Sequence, residues 1–203
     1  SGGRLFDAVS SLLGICDWSA REGEAAILLE QEALLYERSE GAKKYGNKLP
    51  VVVSSSSLAE DSGRLRTGGL PSESRYFVPE DKGDTLSFRP LFDRLTADVK
   101  ENIPSGQLAA CFHVSLAAAL KDKAVHLLHR TGASKVIASG GCFQNKLLME
   151  SLQRLFAEEN IPFYIPGRIP CNDSGIAVGQ LAVAAALREK NSGESAAFSS
   201  GTF

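Results

Sequence analysis

The chain has no apolar run near the ~18 consecutive residues that a membrane-spanning helix takes, which excludes an integral membrane helix. It also has no excess of either charge sign. Lys and Arg number 22 against 24 Asp and Glu, a formal net charge of −2, so the basic footprint of a nonspecific nucleic-acid binder is missing. Neither a membrane nor a nucleic acid is expected as a partner. Cysteine is scarce and scattered: Cys16, Cys111, Cys142 and Cys171 make no CxxC pair, and no histidine lies near them at zinc-ligand spacing. A structural zinc site is therefore not expected, and reduced thiols in a cytoplasmic protein are. Neither Cys142 nor Cys171 has a sequence-adjacent His to lower its pKa, so both read as small packing residues and not as nucleophiles. GxGxxG and GxxxxGK are both absent, which removes the two common glycine-loop nucleotide motifs. The chain opens on Ser1-Gly2-Gly3-Arg4 without an initiator Met or a signal-peptide pattern, an opening expected of an excised fragment.

What is present is an ordinary globular composition. Apolar residues make up 43% and charged residues 23% of 203, room for one large domain or two small lobes with a substantial core. Helical spacing of Leu5, Val9, Leu12 and Leu13 predicts a helix over 5–13, stopped by Gly14, and a second helix is expected over 24–37. From 39 to 84 the pattern degrades into Ser54-Ser55-Ser56-Ser57, Gly68-Gly69, Pro71 and many charges, read as an insert with short strands near 75–78 and 85–88 at its end. Helices follow over 91–102 and 107–130, the latter with a core-facing stripe of Leu108, Phe112, Leu116, Ala119, Leu120 and Leu127 and with Gly132 past its end. The last third alternates: a strand at 135–139, a helix at 146–159, a strand at 162–165, a loop, and a helix at 174–190, the order of an α/β layer. The polar stretch 191–203 is expected to be a frayed, flexible tail.

Three segments have the residue types that chemistry needs. Ser139-Gly140-Gly141-Cys142-Phe143-Gln144-Asn145 runs from strand end to helix start. Two glycines permit close backbone approach, and free N–H groups at the following helix start suit an anion or an adenosine hydroxyl. A tight turn with Asn145 as N-cap accounts for the same residues. Pro170-Cys171-Asn172-Asp173-Ser174-Gly175 is a second strand-to-helix junction, where Asp173 is either a capping carboxylate or one aimed into a cleft to hold a metal or a hydroxyl. Both loops follow neighbouring strands at their carboxyl ends, the edge at which α/β sheets bind ligands. The third segment is Gly3-Arg4-Leu5-Phe6-Asp7, followed by Glu22-Gly23-Glu24, where Asp7 reads first as a helix-start carboxylate. His113 lies within the apolar stripe, and His126 and His129 share a helix face without a third ligand; a satisfied core or surface histidine is the reading for each.

In order and spacing, Gly3-Arg4-Leu5-Phe6-Asp7-Ala8-Val9, Leu12-Leu13-Gly14, Glu22-Gly23-Glu24-Ala25-Ala26, Phe112-His113, Ser139-Gly140-Gly141-Cys142-Phe143-Gln144-Asn145 and Asn172-Asp173-Ser174-Gly175-Ile176-Ala177-Val178-Gly179-Gln180 together resemble the C-terminal part of the hydrogenase maturation carbamoyltransferases, the HypF family. The resemblance covers most of the chain, with little of it in 39–84. It implies an α/β lobe of the actin-like ATPase, ribonuclease-H-like type, a mixed sheet flanked by helices with helical additions, over 1–190. It implies nucleotide-binding residues at Asp7 (ribose side), Gly23 or Glu24 (glycine-loop position), and Gly140, Gly141 and Asn145 (adenosine side), and a metal-ligand carboxylate at Asp173. The implied cofactors are ATP, AMP or carbamoyl-adenylate and a divalent metal (iron, zinc or magnesium), and the implied partners are the upstream domains of its own chain and a HypE-like protein whose C-terminal cysteine accepts the carbamoyl group. The thiocarboxamide so made leads to the cyanide ligands of the [NiFe] centre.

The chain also departs from the family pattern. The family's HxxxH metal ligands and a further phosphate-binding segment are not among its residues, so further metal ligands are expected from outside it and the fragment is expected to be inactive alone. Glu24 puts a carboxylate where the family has Gln. Two alternatives stay open: a tRNA threonylcarbamoyl transferase relative, against which the missing Asn-Ala-Ala-Met block counts, and a degenerate lobe that serves as a docking module.

Overall fold

A computed structural model describes residues 2–39, 52–53, 76–77, 80–82 and 85–199. Helices dominate: α1 (Gly2–Leu12), α2 (Glu24–Arg38), α3 (Arg89–Lys100), α4 (Ser105–Thr131), α5 (Lys146–Glu158) and α6 (Ser174–Ser199). Between them lie the short strands β1 (Val52–Val53), β2 (Tyr76–Phe77), β3 (Glu80–Lys82), β4 (Thr85–Ser87), β5 (Val136–Ile137) and β6 (Phe163–Tyr164). Most of the insert expected at 39–84 lies outside the described residues; the strands expected near 75–78 and 85–88 are β2 and β4.

The core is built around α4. Its side chains are buried without interruption over 108–119, so the expected one-sided stripe is here an apolar circumference, as befits a helix covered on all sides. Against it α1 places Phe6 and Val9, α2 Leu29 and Ala33, α3 Leu91 and Leu95, and α5 Leu148, Leu152 and Phe156. Gly106 is what lets α2 and α4 cross closely: a Cβ there would sit 2.7 Å from Tyr36 Cβ and 2.8 Å from the Glu32 carbonyl oxygen. Beside it Ser105 Oγ donates to Glu32 Oε1 at 2.9 Å. Buried Asp98 of α3 is clamped by Arg94, with Nη2 at 2.9 Å from Oδ1 and Nε at 3.1 Å from Oδ2.

Two expectations change. A single mixed sheet was expected; among the described residues the strands form three separate pairs, β1–β2 parallel, β3–β4 antiparallel and β5–β6 parallel. In the pair that matters here, the β-rich runs are cut within a few residues by Gly140-Gly141 on one strand and by Pro162 and Pro166 on the other, so its ladder holds only Val136 opposite Phe163 and Ile137 opposite Tyr164. The second change is in the last helix, expected over 174–190, which as α6 continues to Ser199. No proline interrupts it, and one Gly193 is tolerable inside a helix.

Candidate functional site

Parallel pairing of β5 with β6 brings the two following loops out at the same end. Gly140 has φ 122° and ψ 158°, a region open essentially to glycine alone. In that conformation its N–H donates to the Cys171 carbonyl at 2.6 Å, which ties the 139–145 loop to the 170–175 loop, and Ser139 Oγ donates to the same carbonyl at 3.4 Å. The next residues coil into a 3-10 turn (Gly141–Gln144), whose leading N–H groups have no partner inside the turn. A Cβ on Gly141 would meet nothing within 4 Å, so this face of the loop is open.

The start of α1 lies on the same loop. A Cβ on Gly2 would come within 2.9 Å of Cys142 Sγ, and Asp7, one turn further on, is 45% exposed with Arg4 Nη1 3.8 Å from its Oδ2. Burial pushes the Cys142 thiol up from its ordinary pKa, and the nearby Asp7 carboxylate adds to the rise. The thiol is thereby kept protonated, in keeping with a packing role. Phe6, the neighbour of Asp7, fixes α1 in depth by meeting Phe112 edge-on at 5.2 Å and His113 at 5.6 Å.

Asp7, Gly140, Gly141 and the 170–175 loop are thus brought to one edge of the molecule. Asp173 is exposed on that loop. Its carbonyl accepts from Ile176 N at 3.0 Å, and it is the Asn172 side chain that accepts from Ser174 N at 3.2 Å, so Asp173 does not serve as the cap. The loop is held tight because a Cβ on Gly175 would run into the Pro170 carbonyl.

Other predicted positions are engaged locally. Gly23 is exposed at φ 75° before α2. The Glu24 carboxylate folds back on its own loop, with Oε2 accepting from Ala20 N at 2.6 Å and Arg21 N at 3.2 Å and the Arg21 guanidinium 4.0 Å from Oε1. The Glu24 charge is therefore matched within its own turn.

Asn145 is buried behind the loop. Its Oδ1 accepts from Leu148 N at 2.8 Å, capping α5, and its Nδ2 faces His113 Nε2 at 2.9 Å. His113 Nδ1 in turn lies 2.7 Å from the Ala109 carbonyl. Burial lowers the His113 pKa to about 4, against the smaller opposing pull of the Ala109 carbonyl. A cavity of about 220 Å³ between α2, α4 and α5 reaches this histidine, lined also by Glu37, Leu147, Glu150, Ser151 and Arg154. Burial, then the neighbouring Glu150, raises the Glu37 carboxyl. Sequence reasoning missed Glu30: its Oε1 accepts from Lys146 N at 2.6 Å and Leu147 N at 3.1 Å, so a carboxylate on α2 occupies the start of α5. A separation of 116 residues leaves no local signal for it.

The described residues do not by themselves fit a metal centre. Asp173 is a single carboxylate, and among the described residues no three His, Cys, Asp or Glu side chains are grouped to hold an ion. Also among them, no helix is long and apolar enough to cross a membrane.

Residues 1–180 match the family model described as "Carbamoyltransferase, Kae1-like Domain, second subdomain". The carbamoyltransferase HypF2 of Cupriavidus necator is 34% identical over 91% of this chain and 22% of its own length. The carbamoyltransferase HypF of Rhodobacter capsulatus is 35% identical over 94% of this chain and 20% of its own length. The chain spans about a fifth of these curated relatives. A solved full-length HypF in its phosphate- and nucleotide-bound form superposes with a TM-score of 0.62 at 27% identity, over 91% of this chain and 20% of that one. The T. kodakarensis HypF structure shares the fold at a TM-score of 0.65 and 22% identity, over 94% of this chain and 20% of that one. A tRNA N6-adenosine threonylcarbamoyltransferase of Bordetella petrii is 33% identical over 63% of this chain and 38% of its own length.

Proposed function

The chain belongs to the HypF carbamoyltransferase family, as the second subdomain of its Kae1-like domain, and from that membership we propose that it forms one wall of an adenine-nucleotide cleft in a carbamoyl-transferring enzyme. In this reading the chain is a lobe of the actin-like ATPase type. The full-length protein moves a carbamoyl group from carbamoyl-adenylate to the C-terminal cysteine thiol of a HypE-like acceptor, and this lobe without its upstream domains does not turn over.

The observation that carries the proposal is the convergence of the α1 start, the Gly140-Gly141 loop and the Asp173 loop beyond the ends of β5 and β6. The leading N–H of the 3-10 turn, at exposed Gly141, suits an adenosine hydroxyl or a phosphate oxygen, and the open face there admits it closely. In this reading Asp7 accepts from a ribose hydroxyl. Gly23, at the head of α2, is a bordering position. Glu24 and Asn145 hold their own turns in shape, and Asp173 stands at the rim as one carboxylate toward a divalent ion whose other ligands lie outside this chain.

The chemistry suits such a wall. Carbamoyl-adenylate is a mixed anhydride that water hydrolyses, so holding the adenylate in a cleft orients its carbonyl toward the incoming sulfur and limits the competing attack. Sulfur attack forms the C–S bond, the C–O bond to AMP breaks, and the thiol proton passes to solvent or to a base in the closed cleft. AMP is a good leaving group, so no covalent intermediate on Cys142 or Cys171 is called for.

The test is ATP binding to the full-length protein by calorimetry, with Asp7→Ala and Gly141→Val alongside. Each substitution is expected to weaken ATP about tenfold or more, roughly one lost hydrogen bond to a charged group or one blocked approach. ATP binding unaffected by both substitutions would remove the proposal. Mass analysis of the acceptor's C-terminal peptide then reports whether carbamoyl transfer is lost in parallel.

A further inference from the structure

We propose that His113 is a positioning residue for the nucleotide loop: by accepting the Asn145 Nδ2–H it fixes which way the Asn145 amide faces, and through Asn145 the turn that displays the loop's N–H groups. The inference rests on the reading that this loop meets an adenylate.

The hydrogen bonds leave one arrangement. Leu148 N can only donate, so the Asn145 atom 2.8 Å from it is the oxygen, and the nitrogen faces His113. The Ala109 carbonyl can only accept, so His113 Nδ1, 2.7 Å away, holds the proton of the neutral ring. Nε2 is then a bare lone pair, the acceptor that Asn145 Nδ2–H needs at 2.9 Å. Turning the amide over would set oxygen against lone pair and N–H against N–H, in a site where His113 is 1% and Asn145 7% exposed. Either mismatch would leave a polar atom of a buried side chain without its hydrogen bond, which is costly.

Asn145 passes this constraint to the loop because it belongs to two elements at once. It follows the 3-10 turn, where its N–H donates to the Cys142 carbonyl at 3.2 Å, and it begins α5, where its carbonyl accepts from Met149 N at 3.1 Å. A tilt of the amide therefore moves the 141–144 backbone. The imidazole is itself held edge-on by Phe6 at 5.6 Å and Phe112 at 5.5 Å. Phe6 precedes Asp7, so one buried cluster sets both the α1 and the Gly140 sides of the proposed wall.

The test uses the full-length protein with ATP as the probe. His113→Leu fills similar volume but offers no acceptor, and it is expected to weaken ATP about tenfold. His113→Gln restores an acceptor through its side-chain oxygen and is expected to stay within about threefold of the native protein. Asp7→Ala and Gly141→Val separate the two readings. If ATP does not bind, or binds both Asp7→Ala and Gly141→Val as it binds the native protein, the nucleotide reading falls and this inference with it. If either of these weakens binding while His113→Leu stays within twofold, the inference alone is overturned. Should His113→Leu not fold, ¹⁵N-histidine spectra of the native protein decide: a His113 protonated at Nδ1 and bare at Nε2, shifting at Nε2 when ATP is added, supports it. An Nε2–H tautomer, or an Nε2 signal blind to ATP, overturns it.

Discussion

Protonating His113 sets an N–H against the Asn145 N–H, so the same pair that aligns the loop makes stability depend on pH. Unfolded, the ring titrates near its ordinary 6.5; folded, at about 4, chiefly through burial. Between those values the unfolded chain binds the extra proton, so the stabilisation is complete above about 6.5 and is lost as pH falls toward 4, a span of roughly 3 kcal/mol. The Glu37 carboxyl, facing the same cavity from α2 beside Glu150 and Arg154 of α5, is raised and works in the opposite sense, gaining stability as it protonates. Urea midpoints at pH 7 and pH 4.5 should therefore fall more steeply for the native protein than for His113→Gln, and an equal fall in both would refute the assignment. At this scale the sequence was partly legible. Residue types and spacing picked out Gly140, Gly141 and Asp173 as strand-to-helix residues, and its place in the apolar stripe read His113 as a satisfied core or surface histidine. That Asn145 is its partner, and that Glu24 bends back to Ala20 and Arg21, are matters of side-chain direction that spacing does not encode.

Each helix start leaves N–H groups unpaired, and α5 answers the problem twice, with Asn145 from its own chain end and Glu30 from α2. A carboxylate at a helix N-terminus is favoured by the macrodipole and by charge-assisted hydrogen bonds. Glu30→Ala should therefore cost about 1–2 kcal/mol in urea unfolding, with Glu30→Gln, which keeps an acceptor without the charge, costing less than half of that. An unchanged midpoint for Glu30→Ala would mean that water replaces the carboxylate without loss. Of the elements themselves, α1, α2, α3 and α5 stood out in the sequence because each buries one face and solvates the other. α4 was read as a helix over 107–130 as well, but with a one-sided stripe; that its burial runs round the whole helix over 108–119 is not visible in the period. β-rich runs located β2, β4, β5 and β6, and β5 and β6 were read as neighbours, which the pairing of Val136 with Phe163 bears out; β1 and β3 were not located, being too short to show an alternation.

Across the whole molecule the apolar surface is unevenly distributed. One side has the closed core about α4, while α6 exposes Ile176, Val178, Leu181, Val183 and Leu187, and near the β5–β6 pair Ile137, Tyr164, Ile165 and Ile169 are exposed as well. A helix apolar on every side is ordinarily a covered helix, and contiguous apolar surface of this kind drives association. For the 203-residue chain by itself in dilute solution, other copies are the available cover. Its sedimentation coefficient should then rise with concentration, and Leu181→Lys with Leu187→Lys should flatten the rise, because two charges across that face oppose its burial. Both side chains are more than half exposed, at 71% and 57%, so at a dilution where the native chain sediments as a monomer the double substitution should leave the thermal midpoint within about 1 °C, since surface changes away from buried features shift stability little. A chain that sediments identically at all concentrations, with or without the lysines, would show that α6 tolerates water as it stands. A fall in the thermal midpoint on substitution would show instead that these leucines are already packed within the single chain.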